Sequence, residues 1–586
     1  MRFSAFPLVG IAFVGLVNAS DNLDESSILG RDINASYLST LTANQRKVFD
    51  TVIEAVDASF APPFLFNSPR YTAWYAVGLL ARNGKGDAQL ASTLLRNVIA
   101  MQYTDPAKAW FGTFKSTPTA PDPGDVYPPR LYGSYDTNIG LFVCTSLVIV
   151  MEEFTHLLEP SLVSLLKASM YNSTVGDGYR VGGVNGDGYS AGGFIGDNLY
   201  PIYSNPWYMR VMAATYVGSM MQDRNMSEWG DRWAQEAVDN FNLFGTLAEF
   251  SSGTYTGVTL YALSLHGYMP ASSIIARNAV NIIQKTWSAV GAMYNPTLRT
   301  LGGPWDRAYG YDMRAYFGIL GGQIAGLVGG LDGTAPLPNP LIGSAHFGDS
   351  AATLLTPLIA KFNDPHVPKS VISQLKRISS LHGHSSNFSA ISPPWDAIGT
   401  PRNYTSYTAP GLSVGGIQSD ERVIGGPATN PAMYVPASIL WDVDGQGTVG
   451  WLNLFPTSGS ISAIATPSES SPGRGAKLTI TYPPSTNFPT PLFANITSTQ
   501  FTFLIGGFQG VSLPADFAQG GAAQLPGLRL KFSGNVVSRG VRSFVYGAST
   551  INDLMPYNLT FDVTGVDLGG EVPGQDNDYR KLDATA

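Results

Sequence analysis

A change of hydrophobic period constrains this chain more than any other feature. From about residue 40 to about 385, apolar residues recur three and four apart. Beyond about 390 they come in short alternating runs broken by Gly, Pro, Ser and Asn. In the first stretch close to a dozen helices can be read. LTANQRKVFDTVIEAVDASF (41–60) shows the pattern, with Thr42 and Asn44 as cap candidates and Val48, Val52, Ile53 and Val56 as its stripe. Two later segments, 141–151 and 317–328, are apolar on most faces, which suits helices surrounded by other helices. At 586 residues the chain is too long for one core. No period of about 34–47 residues with recurring anchors marks a solenoid. The pattern predicts a closed double ring, an (α/α)6 toroid of helical hairpins.

After residue 390, runs such as SILWDVD, TVGWLNLF, KLTITY and FTFLIGGF predict an antiparallel β-sandwich of eight or more strands. The fold class expected is therefore α+β and multidomain. The segments expected are a signal peptide at 1–19, a polar lead-in at 20–39 and the helical toroid at 40–385. A linker or hinge at 386–430, the sandwich at 431–565 and a polar tail at 566–586 follow.

Residues 1–19 carry Arg2, an apolar stretch from Phe6 to Val17 and the small-residue pattern Val17-Asn18-Ala19, and so read as an export signal. Asn-X-Ser/Thr triplets at Asn34, Asn172, Asn225, Asn387, Asn403, Asn495 and Asn558 add the expectation of a secreted, extracellular glycoprotein. With 35 basic and 43 acidic residues the net charge is −8, which offers no basic face for nucleic acid. No later apolar run is long enough to span a membrane. The single cysteine, Cys144, excludes an internal disulfide and a cysteine-built zinc site. The six histidines form no HExxH, and neither G-x-S-x-G in a strand–turn–helix context nor a nucleotide loop occurs, so no metal and no cofactor is implied.

Charged residues are only 13% of the chain, so their clusters stand out. In LAEFSSGTYTGVTLYALSLHGY (247–268), Glu249 sits among Leu247, Ala248 and Phe250, just before a turn that opens a helix. Desolvation there would raise its pKa, as a general acid requires. Tyr255 lies at that helix start. In TLGGPWDRAYGYDMRAYFG (300–318), Asp306, Arg307, Tyr309, Tyr311 and Asp312 crowd the start of another apolar helix. The alternative readings are a capping or surface Glu249 and a capping Asp306 with a local Asp–Arg pair. Asp136 and Asn138 stand at one more helix start, Asn205, Trp207 and Arg210 at another, and Trp110 in a loop. In a toroid such starts converge on one mouth, where aromatic faces and polar groups would meet sugar rings. A glycine-rich repeat places Asp177, Asp187 and Asp197 ten apart, as a flexible loop or a calcium loop of a kind unlike an EF-hand.

A six-hairpin helical domain followed by a β-sandwich resembles the secreted toroid carbohydrate-active enzymes, the hyaluronate- and chondroitin-type polysaccharide lyases among them. The segment AEFSSGTYTGVTLYALSL looks like one found in secreted fungal toroid proteins. The resemblance implies a glycan or small-molecule substrate and carries over no catalytic residue. The first expectation is a glycoside hydrolase with Glu249 as acid and Asp306 or Asp312 as base or nucleophile. The alternative is a polysaccharide lyase in which Arg307 or Arg210 with Asn205 neutralises a uronate and Tyr309 or Tyr311 abstracts the proton. An enzyme acting on a small metabolite and a non-catalytic binder complete the set.

Overall fold

The computed structural model describes residues 37–108, 110–123, 136, 138–180, 203–308, 318–330, 347–391, 401–419, 434–455, 461–468, 475–481, 500–508, 522–534, 537–543, 557–562 and 566–571. Among them are twelve α-helices. They are α1 (Ala43–Ser59), α2 (Pro69–Arg82), α3 (Asp87–Ala100), α4 (Ile139–Glu153), α5 (Pro160–Arg180), α6 (Ser204–Met220), α7 (Arg224–Phe244), α8 (Tyr255–Ser264), α9 (Ile274–Met293), α10 (Gly318–Val328), α11 (Thr356–Ile359) and α12 (Lys369–Lys376).

Helices α2, α4, α6, α8 and α10 follow one another around a ring, which a 3-10 stretch at Phe347–Leu354 closes by packing on both α10 and α2. Helices α3, α5, α7 and α9 back onto α2, α4, α6 and α8, and α1 backs onto α10. Composition explains the two layers. Every residue of α8 is buried, as is α6 from Ser204 to Gly218, so both suit the inside. Helix α7 instead buries a stripe through Met226, Trp229, Trp233, Ala237 and Phe241 while Arg224, Glu228, Arg232 and Asp239 face solvent. Glycines let α6 and α7 cross closely: a β-carbon on Gly230 would stand 2.9 Å from the Thr215 amide nitrogen.

Strands β1 (Tyr294–Asn295) and β2 (Thr300–Leu301) form a small hairpin after α9. The second half holds β3 (His384–Ala390), β4 (Arg402–Ala409), β5 (Leu412–Ser419), β6 (Ala437–Asp442), β7 (Val449–Phe455), β8 (Ile461–Pro467), β9 (Gly475–Thr481), β10 (Gln500–Gly506), β11 (Ala522–Leu525), β12 (Leu528–Gly534), β13 (Val537–Ser543), β14 (Tyr557–Asp562) and β15 (Val566–Glu571). These thirteen described strands make one antiparallel hydrogen-bonded sheet in the order β11-β12-β15-β9-β8-β5-β6-β7-β10-β14-β13, with β4 on β5 and β3 on β4. The sheet branches at β5, whose first half pairs with β6 and whose end pairs with β8. Branching folds the sheet over itself. The Ala465 amide donates across the layers to Thr405 Oγ1 at 2.8 Å, and every residue of β6 is buried.

Two expectations about boundaries change. The region 386–430, expected as a linker or hinge, holds most of β3 and all of β4 and β5. Its turn-rich text hid a strand, RNYTSYTA, whose burial alternates from Arg402 to Thr405 and is complete from Ser406 to Ala409. Residues 307 and 308, where a helix was expected to begin, are not helical, and α10 is described from Gly318 onward. The sheet is also docked rather than tethered. Trp305 and Val435 exchange amide–carbonyl bonds of 2.9 and 3.0 Å, and Asn295 Nδ2 donates to the carbonyls of Ala409 (3.0 Å) and Leu412 (3.1 Å). A β-carbon on Gly415 would lie 1.7 Å from the Gly303 carbonyl oxygen, so the two halves meet backbone on backbone.

Candidate active site

Gly245 ends α7 in the left-handed conformation with φ 73°, and the chain then runs inward through 246–254 to α8. A second buried stretch, 304–307, lies against it. The Asp306 amide donates to the Ser251 carbonyl at 2.8 Å, the Ser251 amide returns a bond to Asp306 Oδ2 at 3.2 Å, and Ser252 Oγ donates to the Arg307 carbonyl at 2.9 Å. The Ser251 hydroxyl also donates to the Pro304 carbonyl. Ser252 accepts from the Tyr255 amide at 3.0 Å and so helps to start α8.

Glu249 is fully buried within this ladder. Its Oε1 accepts from Arg307 Nε at 3.1 Å, and its Oε2 accepts from the Ser204 amide at the start of α6, also at 3.1 Å. Ser204 Oγ in turn accepts from the Glu249 amide at 3.3 Å. The positive end of α6 thus faces the carboxylate. Burial nevertheless outweighs these partners and lifts the Glu249 carboxyl from 4.5 to about 7; Arg307 and the Ser204 amide pull it down, and nearby Asp306 pushes it up. The shift corresponds to about 3 kcal/mol of preference for the protonated form.

The guanidinium of Arg307 lies 5.2 Å from the centre of the Tyr255 ring and 5.6 Å from that of Tyr203. The two phenol oxygens are 3.3 Å apart. Tyr203 is half-buried, whereas Glu249 is wholly enclosed. A carboxyl, a guanidinium and two phenols therefore form one cluster at the starts of α6 and α8.

Asp306 has another task than the one expected of a base or nucleophile. Its Oδ1 accepts from Arg402 Nη1 at 3.0 Å and from the Tyr404 hydroxyl at 2.5 Å, both on β4, while Oδ2 takes the Ser251 amide. Burial raises its carboxyl, against the opposing pull of Arg402, Tyr404, Ser251 and Arg307. With its oxygens committed to the sheet and the neighbouring loop, Asp306 is a docking group.

Several other expected residues have partners elsewhere. Arg210 donates to Asp177 from Nε at 2.5 Å and from Nη2 at 3.2 Å, beneath Trp207 and Trp233 at 5.1 and 5.9 Å. Arg210, expected to bind substrate, is thus paired with Asp177, one of the three aspartates of the glycine-rich repeat. Trp207 donates its indole N–H to the Trp233 carbonyl at 3.1 Å and is core, because α6 is buried on all sides. Asn205 is buried beside Ser204. Asp136 Oδ1 accepts from the Asn138 amide at 2.8 Å and so shapes the start of α4, with Asn138 buried. Trp110 is half-buried, edge-on to Tyr103 at 6.5 Å. Tyr309, Tyr311, Asp312, Asp187 and Asp197 lie outside the described residues.

Of the glycosylation triplets, Asn225 and Asn387 are exposed, Asn172 and Asn403 are half-buried, and Asn34 and Asn495 lie outside the described residues; Asn558 lies on β14. No helix among the described residues is long and apolar enough to cross a membrane. The described residues bring no three His, Cys, Asp or Glu side chains together around a potential metal position.

Residues 43–361 match the family described as "Domain of unknown function (DUF8769)". The chain belongs to that family. Residues 382–572 match "Domain of unknown function (DUF8770)", which begins just before β3, and the stretch 362–381 between the two matches holds α12. No curated protein matches. Among solved structures, heparinase III overlays with a TM-score of 0.43 at 10% identity, covering 93% of this chain and 87% of that one. An overlay this loose says nothing about chemistry.

The residues missed in the sequence are Tyr203, Ser204, Arg402 and Tyr404. Tyr203 and Ser204 stand in the same YSNPWYMR segment as the residues chosen. Arg402 and Tyr404 are two apart in an alternating strand and so share a face, a signal present in RNYTSYTA.

Proposed function

We propose that this chain is a secreted, glycan-acting enzyme that works where Arg307 meets Tyr203 and Tyr255, and that it cleaves by elimination beside a uronate. The observation that carries this reading is the guanidinium of Arg307 over both phenol rings, with Glu249 behind it. Elimination needs a cation to neutralise the uronate carboxylate, so that the C5 proton becomes acidic, and a base within reach. A planar guanidinium fork suits a carboxylate. One phenolate takes the C5 proton, the electron pair forms the C4–C5 double bond, and the C4 glycosidic oxygen leaves with a proton from the second phenol. When Glu249 is protonated it no longer neutralises Arg307, which leaves the guanidinium's charge to the substrate.

Hydrolysis is the second reading, favoured by the lifted Glu249 carboxyl, since a general acid must hold its proton near neutrality. It lacks a second carboxylate among the described residues, because Asp306 is bound to the sheet, and would call on Asp312. A panel of neutral and uronate-containing polysaccharides, followed by reducing ends and ultraviolet absorbance together, separates the two. Elimination yields an absorbing unsaturated uronate along with each new end. New ends without absorbance would select hydrolysis, and neither signal would remove the enzymatic reading.

A further inference from the structure

We infer that Arg402, carried on the sheet, is a positioning residue for the Glu249–Arg307 site: its one guanidinium ties together the two loops that bear those side chains. The inference rests on the functional reading above. Arg402 Nη2 donates to the Ala248 carbonyl at 2.6 Å, one residue before Glu249. Nη1 donates to Asp306 Oδ1 at 3.0 Å, one residue before Arg307. The side chain is 2% exposed, so water does not compete for these bonds. Tyr404, on the same face of β4, donates to the same Asp306 oxygen at 2.5 Å and packs at 4.7 Å against the ring of Phe250, the residue after Glu249.

Planarity is what makes this a gauge. The two guanidinium nitrogens stand at a fixed separation, so the acceptors on the two loops are held at a fixed separation as well. A lysine ammonium would preserve the positive charge against Asp306 but, as a point donor on a flexible stem, could not reproduce the fork. The sheet thus takes part in the site without giving a group to the substrate. The docking of the sheet on the ring serves the same end, since a mobile sheet could not hold Glu249 in register with Arg307.

The full-length chain and its Arg402→Lys, Arg402→Gln and Tyr404→Phe variants are compared by amide hydrogen exchange and by turnover of whichever glycan the wild type cleaves. In R402K, exchange at 247–252 and 304–307 should quicken about tenfold, an opening of roughly one hydrogen bond's worth, while α2 and α4 keep their protection. Y404F should loosen 304–307 alone. Turnover in R402K should fall about a hundredfold in kcat with KM nearly unchanged, since misplacement costs rate more than binding when the substrate-facing groups remain. Lysine restoring wild-type exchange and kcat would overturn the inference, because a buried charge alone would then suffice. Equal loss of protection in α2 and α4 would overturn it too, because the role would be general stability. If R402Q does not fold, R402K and Y404F carry the test. Should no glycan be cleaved, the functional reading falls, and exchange still decides whether Arg402 couples the loops.

Discussion

Two buried arginine–carboxylate pairs lie within the ring and differ in how they are closed. Arg210 presents two nitrogens to Asp177, on α5, beneath two tryptophans. Arg307 presents Nε to Glu249, whose other oxygen is held by the start of α6, and its guanidinium borders two phenols. The first pair joins one helix to the next through a bidentate grip. In the second, compensation arrives from two directions and burial still prevails, so the carboxyl titrates near neutrality. Burial with an arginine therefore does not mark a functional group by itself. What surrounds the pair decides whether it holds the fold or can exchange a proton.

The largest expected difference is in activity. Glu249→Gln should hold turnover nearly level between pH 5 and 8, where that of the wild type falls about tenfold as the carboxylate forms and neutralises Arg307, while the protein stays folded. Asp177→Asn should act on stability instead. It leaves Arg210 buried without its anion and should cost about 3–5 kcal/mol in denaturant unfolding, with kcat of the remaining folded protein within a few-fold. Equal behaviour of the two variants would erase the distinction between the pairs.

A smaller effect lies in the pH dependence of stability. A carboxyl raised from 4.5 to about 7 in the folded state adds stability below about pH 4.5 and loses it as pH rises through about 7. Unfolding free energies of wild type and Glu249→Gln should therefore converge in acid. Between pH 4.5 and 8 the wild type should lose about 3 kcal/mol relative to the variant. A flat difference would mean that Glu249 is not proton-poised. The smallest effect is expected at Trp110. Half-buried beside Tyr103, it should change stability by less than about 1 kcal/mol on replacement by alanine, with any change in turnover confined to KM.

Much of the ring could be read from local text. The mostly apolar text of α4 and the stripe of α7 each state their layer, because burial on all sides and burial on one face leave different periods. Glu249 was legible for the same reason: a lone acid among Leu247, Ala248 and Phe250 has no exposed face to occupy. The role of Asp306 was not. Its partners, Arg402 and Tyr404, lie 96 and 98 residues away along the chain, and no local period carries a contact of that span. Nor was the strand that bears them, whose Asn, Thr and Ser residues read as turns although alternate positions are buried. Trp207 misled for a related reason. A tryptophan beside a helix start suggests a sugar platform until α7 is seen to cover it.

The central claim is that Arg307 and the paired phenols of Tyr203 and Tyr255 cleave a uronate-containing glycan. The most direct measurement is side-by-side digestion of a uronate-rich polysaccharide by the wild type and by Tyr203→Phe and Tyr255→Phe, singly and together. The account predicts ultraviolet-absorbing, unsaturated product from the wild type and a loss of about a hundredfold or more in the double variant, which keeps both rings but neither hydroxyl. Absorbing product formed equally fast without the two hydroxyls, or no cleavage by the wild type, would contradict it.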